Sequence, residues 1–161
     1  MRKLLGTIQI TSGQIVCSDP GYRSGEWSAQ TKKALNGEYN VYLTSEDFDR
    51  FGKRNTELMI VHKDHDGTVT DDRWILDNHA GVDSGTFGFF DKEYFDRHHE
   101  GVVDDAWFDE NLMRRIDDPA AVTDGRGVWA TAGYGDGSYP VEYAVIPYRH
   151  VAVALKVVFI Y

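Results

Sequence analysis

The sequence predicts a mostly β protein of the α+β class: one domain over residues 1–161, with eight or nine largely antiparallel strands and two or three short helices. Three observations carry that expectation. Short runs rich in Val, Ile, Thr and aromatic residues alternate along the chain with clusters of Gly, Pro, Asn and Asp, the punctuation of strands and turns. Only one stretch, 104–116, sustains an apolar repeat every four residues. The chain's 161 residues, 42% hydrophobic and 13% aromatic, suffice for one core without disulfide or metal staples.

The elements follow in order. Residues 4–10 and 14–17 are β-prone, and Thr11-Ser12-Gly13 between them suggests a hairpin. Ser28 is placed to cap a helix over 28–36, with Lys32 and Lys33 late in it and Gly37 just past its end. Residues 39–43 and 56–62 read as strands, and Asp64-His65-Asp66-Gly67 as a turn from which 74–76 returns as a partner strand. After Asp83-Ser84-Gly85 comes a short apolar strand, 87–90, and Asp91 is placed to cap a helical turn with Phe90 and Tyr94 as its staple.

The clearest helix is 104–116. Asp104 and Asp105 start it, Arg114 and Arg115 end it, and Phe108, Leu112 and Ile116 form its apolar stripe. Asp117-Asp118-Pro119 stops it, and 119–127 reads as a loop. Strands 128–132, 141–146 and 151–160 close the chain. The last is apolar on both faces, which suits a central strand covered on both sides.

Charge and composition narrow the function classes. With 26 acidic and 17 basic side chains the net charge is −9, which disfavours ordinary nucleic-acid binding and leaves cations or a basic protein surface as partners. A single cysteine, Cys17, fits a reducing compartment. The N-terminus enters strand pattern at once, unlike a signal peptide, and no apolar run approaches the ~18 residues of a membrane span. A soluble cytoplasmic protein is expected, in the host cytoplasm if the chain is phage-encoded.

The candidate chemistry lies in three Gly-Asp loops. Gly133-Tyr134-Gly135-Asp136-Gly137-Ser138-Tyr139-Pro140 sets three glycines at alternate positions, letting the backbone take positive φ and approach a ligand closely. It lacks the Lys-Ser/Thr of a P-loop and joins strand to strand, so it is no nucleotide fingerprint. Asp83 and Ser84 in Gly81-Val82-Asp83-Ser84-Gly85, Asp91 four residues after Phe87, and Asp19 in Asp19-Pro20-Gly21-Tyr22 are further turn carboxylates and hydroxyls. Each alone reads as a turn or helix cap. Together, Asp19, Asp83, Asp91 and Asp136 are candidate ligands for a divalent cation such as Mg²⁺ or Ca²⁺, and Tyr22, Ser84, Tyr134 and Tyr139 join them as ligand-binding candidates. No Lys or Arg lies within these loops.

Other candidates are weaker. His62-Lys63-Asp64-His65-Asp66-Gly67, even with His79, His98 and His99, matches no zinc spacing or EF-hand and reads as a solvated turn. Cys17 reads as a core thiol, and neither Ser12 nor Ser84 sits in a G-x-S-x-G elbow.

The loops jointly resemble a bacterial and phage family designated a domain of unknown function. Its members carry an Asp-Pro-Cys-Tyr box after an N-terminal strand pair, a central Val-Asp-Ser/Ala-Gly stretch followed by Gly-x-x-Asp, and a Ser-Gly-Tyr-Gly-Asp-Gly-x-Tyr-Pro segment. Here these correspond to Asp19-Pro20-Gly21-Tyr22, to Val82-Asp83-Ser84-Gly85 with Gly88-Phe89-Phe90-Asp91, and to Ala132-Gly133-Tyr134-Gly135-Asp136-Gly137-Ser138-Tyr139-Pro140. The order is the family's, and the resemblance covers nearly the whole chain. It implies one shared face bearing Asp19, Asp83 and Asp136, and it brings no established activity. Gly21 replaces the box cysteine, so thiol chemistry at that position does not transfer.

Three functional classes follow, in order. The first is an acidic binding protein that engages a protein partner or a small ligand through its Gly-Asp loops or acidic surface. The second is a metal-assisted hydrolase of a phosphorylated or nucleotide-like substrate. The third is a structural or assembly component.

Overall fold

In a computed structural model that describes residues 1–22, 30–100 and 104–161, the β-prone runs assemble into two antiparallel sheets packed face to face. The first strands are β1 (Arg2–Ile10), β2 (Gln14–Ser18), β3 (Gln30–Lys33), β4 (Gly37–Asp47) and β5 (Lys53–His62). Then come β6 (Ile75–Val82), β7 (Thr86–Asp91), α1 (Lys92–His99), α2 (Asp105–Asn111), β8 (Ala120–Thr123), β9 (Gly127–Thr131), β10 (Gly137–Val145) and β11 (Ala152–Val158). One sheet has the order β1-β4-β5-β11-β10-β6, the other β3-β2-β7-β9-β8.

The alternation of each strand decides what it buries. Ile8, Val41, Ile60, Leu155 and Val157 of the first sheet meet Ile15, Phe87, Phe89 and Val128 of the second. Each such side chain contributes about 1.5–3 kcal/mol by leaving water. On β7 the other face carries Phe90, which packs with Val16, Trp129, Tyr94, Phe95, Trp107 and Leu112 beneath the helices. The layers are therefore sheet, sheet, helices. Gly88 permits β7 and β9 to close, because a Cβ there would stand 2.0 Å from the Val128 carbonyl oxygen. β11 lies between β5 and β10, the central position its doubly apolar pattern predicts.

Several local expectations are corrected. Residues 4–10 and 14–17 do not form a hairpin: β1 pairs with β4, β2 pairs with β3 and β7, and Thr11-Ser12-Gly13 crosses between sheets. The predicted helix 28–36 is strand β3 where it is described, with Thr31 opposite Val16, so pairing overrides the capping pattern; Ser28 lies outside the described residues. The strand containing 74–76 runs on as β6 and pairs with β10.

Residues 119–127 are not a loop but a hairpin, β8–β9, turned at Asp124 and Gly125, whose φ values of 50° and 66° are both positive. Helix 104–116 ends as α2 at Asn111, followed by a 3-10 turn over Met113–Arg115. Its buried residues are Trp107, Asn111 and Leu112, while Ile116 is 42% exposed. The staple of α1 is Phe90 on Phe95, with ring centroids 5.2 Å apart, one residue beyond Tyr94. None of the described helices is long and apolar enough to cross a membrane.

Candidate functional site

The chain leaves β2 at Ser18, and the next residue, Asp19, is fully buried. A buried carboxylate needs its lone pairs filled. Here Oδ1 accepts from Gly21 N at 2.8 Å and Ser84 Oγ at 2.6 Å, and Oδ2 accepts from Asp83 N at 2.8 Å and Ser84 N at 2.7 Å. Asp19 thus fastens the turn 83–85 to the end of β2. His99, buried in α1, braces the same loop with Nε2 2.8 Å from the Pro20 carbonyl and Nδ1 2.8 Å from that of Phe95. Burial pushes the His99 pKa down against those two carbonyls.

The third loop joins the other two. Gly137 pairs with Val82, Ala132 N donates to Gly85 O at 2.9 Å, and Tyr139 OH donates to Gly135 O at 2.6 Å. The Tyr139 ring packs on Phe159 with centroids 5.3 Å apart, and burial, reinforced by Asp136, raises its pKa. Gly133 and Gly135 take φ of 41° and 106°, the conformations that require glycine in this turn. The three Gly-Asp loops therefore meet at one end of the sandwich.

On the outer side of this cluster, Asp83 and Asp136 are exposed and Tyr22 OH donates to Asp83 Oδ2. That hydrogen bond, with partial burial and the charges of Asp83, Asp19 and Asp136, raises the Tyr22 pKa to about 12.

The inner side is different. Gly85, Ala132, Gly133, Tyr134 and Gly135 form one wall of a cavity of about 530 Å³. The opposite wall comes from the first sheet: Lys3 and Leu5 of β1, Leu43 and Ser45 of β4, and Lys53, Arg54 and Asn55 of β5. Asn55 Nδ2 ties the two sheets together, donating to Pro119 O at 2.8 Å, Thr131 O at 3.0 Å and Thr131 Oγ1 at 2.8 Å. At the rim, Tyr134 lies 6.2 Å from both the Phe48 and Phe51 rings, and the Arg54 guanidinium sits 5.7 Å from its centroid. Among the described residues, no His, Cys, Asp or Glu lines the cavity.

The candidates sort accordingly. Asp19, Tyr22, Asp83, Ser84, Asp136 and Tyr139 are gathered in the loop cluster, and Tyr134 alone of the predicted set lines the cavity. Asp91 does not belong with them. It sits at the far end of β7, roughly 15 Å along a strand of this length. Its Oδ1 accepts from Thr11 N at 3.0 Å, Ser12 N at 3.0 Å and Ser12 Oγ at 2.7 Å, and its Oδ2 pairs with Arg126 at 2.5 Å. It makes no side-chain cap bond to α1, correcting the capping expectation. Burial pushes the Asp91 carboxyl up, but these hydrogen bonds outweigh it and hold the pKa below the ordinary value.

Of the four carboxylates expected as cation ligands, Asp19, Asp83 and Asp136 lie in the loop cluster and Asp91 does not. Asp19 is saturated by donors, Asp91 is remote, and no three His, Cys, Asp or Glu groups among the described residues surround a common point. Cys17 is a buried strand thiol whose pKa is driven up by burial, with Asp77 adding to it.

Sequence reasoning missed Lys3, Lys53, Arg54 and Asn55. They lie on strands far from the Gly-Asp motifs and reach the cavity only through the register Lys3↔Leu43 and the β4–β5 pairing. Compared with known proteins, the chain matches no family model, no curated protein and no solved structure.

Proposed function

We propose that the protein is a non-enzymatic binding protein for a small ligand, seated in the cavity beneath the 132–136 loop. The observation that carries this reading is the cavity's composition. At about 530 Å³ it has the volume of a small-molecule site, and its wall of Leu5, Leu43, Pro119 and Ala132 carries a few convergent polar groups. Among the described residues it offers hydroxyls at Ser45 and Thr131 and no base of the His, Asp or Glu type to activate them, which favours holding a ligand over transforming one. The Gly-Asp loops then serve as the rigid frame of a binding wall.

A ligand-observed NMR fragment screen on the wild-type chain and on Tyr134→Ala tests it. Because Tyr134 is 58% exposed, its truncation leaves the fold intact. Fragments that bind the wild type and lose affinity on Tyr134→Ala are expected. An empty screen, or hits indifferent to Tyr134, would count against the reading.

A further inference from the structure

The cavity runs against the charge of the molecule around it. The chain carries 26 acidic and 17 basic side chains, yet among the described residues the lining holds Lys3, Lys53 and Arg54 and not one carboxylate. None of the three has an ion-pair partner among the described residues, a condition shared by Arg2, Lys33, Arg50, Arg73, Arg149 and Lys156, which do not line the cavity. Across β4–β5, Glu46 and Asp47 stand opposite Arg54 and Lys53 without closing to an ion pair. Arg54 is oriented through Nε, which donates to Phe51 O at 2.9 Å, so its terminal nitrogens keep their donors for another group. Beside it the Tyr134 ring offers a planar surface, and Leu5 and Leu43 supply apolar depth.

We propose that this cavity takes a small organic anion, a phosphate or carboxylate on a planar apolar body, with the head group at Lys53 and Arg54, the ring on Tyr134 and Lys3 further along the lining. This rests on the small-ligand reading above and adds the ligand's class. The chemistry is that of a guanidinium fork and an ammonium group, whose bonds to an anion are charge-assisted and strengthened where apolar walls thin the solvent. Glu46 and Asp47 lie opposite Arg54 and Lys53, within a Debye length of about 8–10 Å, so the anion's gain comes from direct contact with the cations and falls with added salt.

Protein-observed NMR titration with phenyl phosphate, benzoate, neutral benzyl alcohol and inorganic phosphate tests it, on the wild type and on Arg54→Gln and Lys53→Gln. Phenyl phosphate or benzoate should perturb amides at 53–55 and 133–135, and the tighter of the two identifies the head group. Each substitution should weaken that anion about tenfold, as for loss of one charge-assisted contact, and leave benzyl alcohol unchanged. Amide spectra report whether each variant is folded, and two independent cations keep the result readable if one is not.

Benzyl alcohol binding as tightly as the anions, or anion affinity unmoved by both substitutions, would overturn the anion assignment while leaving a small-ligand cavity. Inorganic phosphate matching phenyl phosphate would overturn the planar body. No probe perturbing the cavity amides would overturn both the assignment and the small-ligand reading.

Discussion

On the solvent side of the loop cluster stand Tyr22, Asp83 and Asp136; on its cavity side stand Lys3, Lys53, Arg54 and Tyr134. The same turns make both surfaces, and Asp19 lies buried between the turns that form them. The difference separates two uses of charge. Asp19 organises the loops by accepting backbone and hydroxyl hydrogens, and Asp83 accepts the Tyr22 hydroxyl. The cations that face open volume come from β1 and β5 and carry no motif at all. Conspicuous residues frame the site here, and inconspicuous ones furnish it.

The strongest way to break the comparison is to remove the fastener common to both sides. Asp19→Ala abandons four donors in a buried setting and should cost about 4 kcal/mol in chemical denaturation, with loss of probe binding as the turn 83–85 loosens. A loss under about 1 kcal/mol would show that the loops hold together without it.

Asp91→Asn sharpens the contrast from the opposite end of β7. Leaving Arg126 without its carboxylate should cost about 3 kcal/mol while probe affinity stays at the wild-type level. The pH dependence has a definite sign. Because the folded pKa of Asp91 lies below the ordinary carboxyl value of 3.8, its stabilisation is complete well above that value and is lost as pH falls through the lower folded value. Stability measured from about pH 6 down to pH 2 should therefore converge for wild type and Asp91→Asn. A constant gap would contradict this.

Smaller effects belong to the outer face. Tyr22→Phe removes the bond to Asp83 and should change stability by less than about 1 kcal/mol, with no change in probe affinity. A large affinity loss would move the site to the solvent side. Gly21→Cys tests how much room the loop leaves beside Asp19. A Cβ there meets Asp19 Oδ1 at 3.2 Å and Ser84 Cβ at 3.5 Å, so the loop must give slightly, and a cost within about 1 kcal/mol is expected in thermal melts.

Most strands were legible because one buried face imposes strict alternation, and the central place of β11 was legible because both its faces are apolar. Partner choice was not. The 4–10 and 14–17 runs carry the same local pattern whether they pair with each other or enter different sheets, and the register with β4 and β7 decides it. β3 reads locally as a capped helix, and only its pairing with β2 holds it extended. The Asp124-Gly125 turn was visible as a dipeptide, yet Asp117-Asp118-Pro119 and the short length of β8 disguised the hairpin.

The loop cluster was legible from repeated Gly and Asp. The cavity was not, because Lys3 and Lys53 come to line one cavity only through two successive strand pairings. Tyr134 was the one residue visible in the sequence that also lines the cavity.

The central claim, that ligand chemistry lies on the cationic inner side of the loops, is tested most directly by a crystal structure with phenyl phosphate bound. The expected density places the phosphate between Lys53 and Arg54 with the ring against Tyr134. Phosphate density beside Tyr22, Asp83 and Asp136, or an empty cavity at saturating probe, would contradict it.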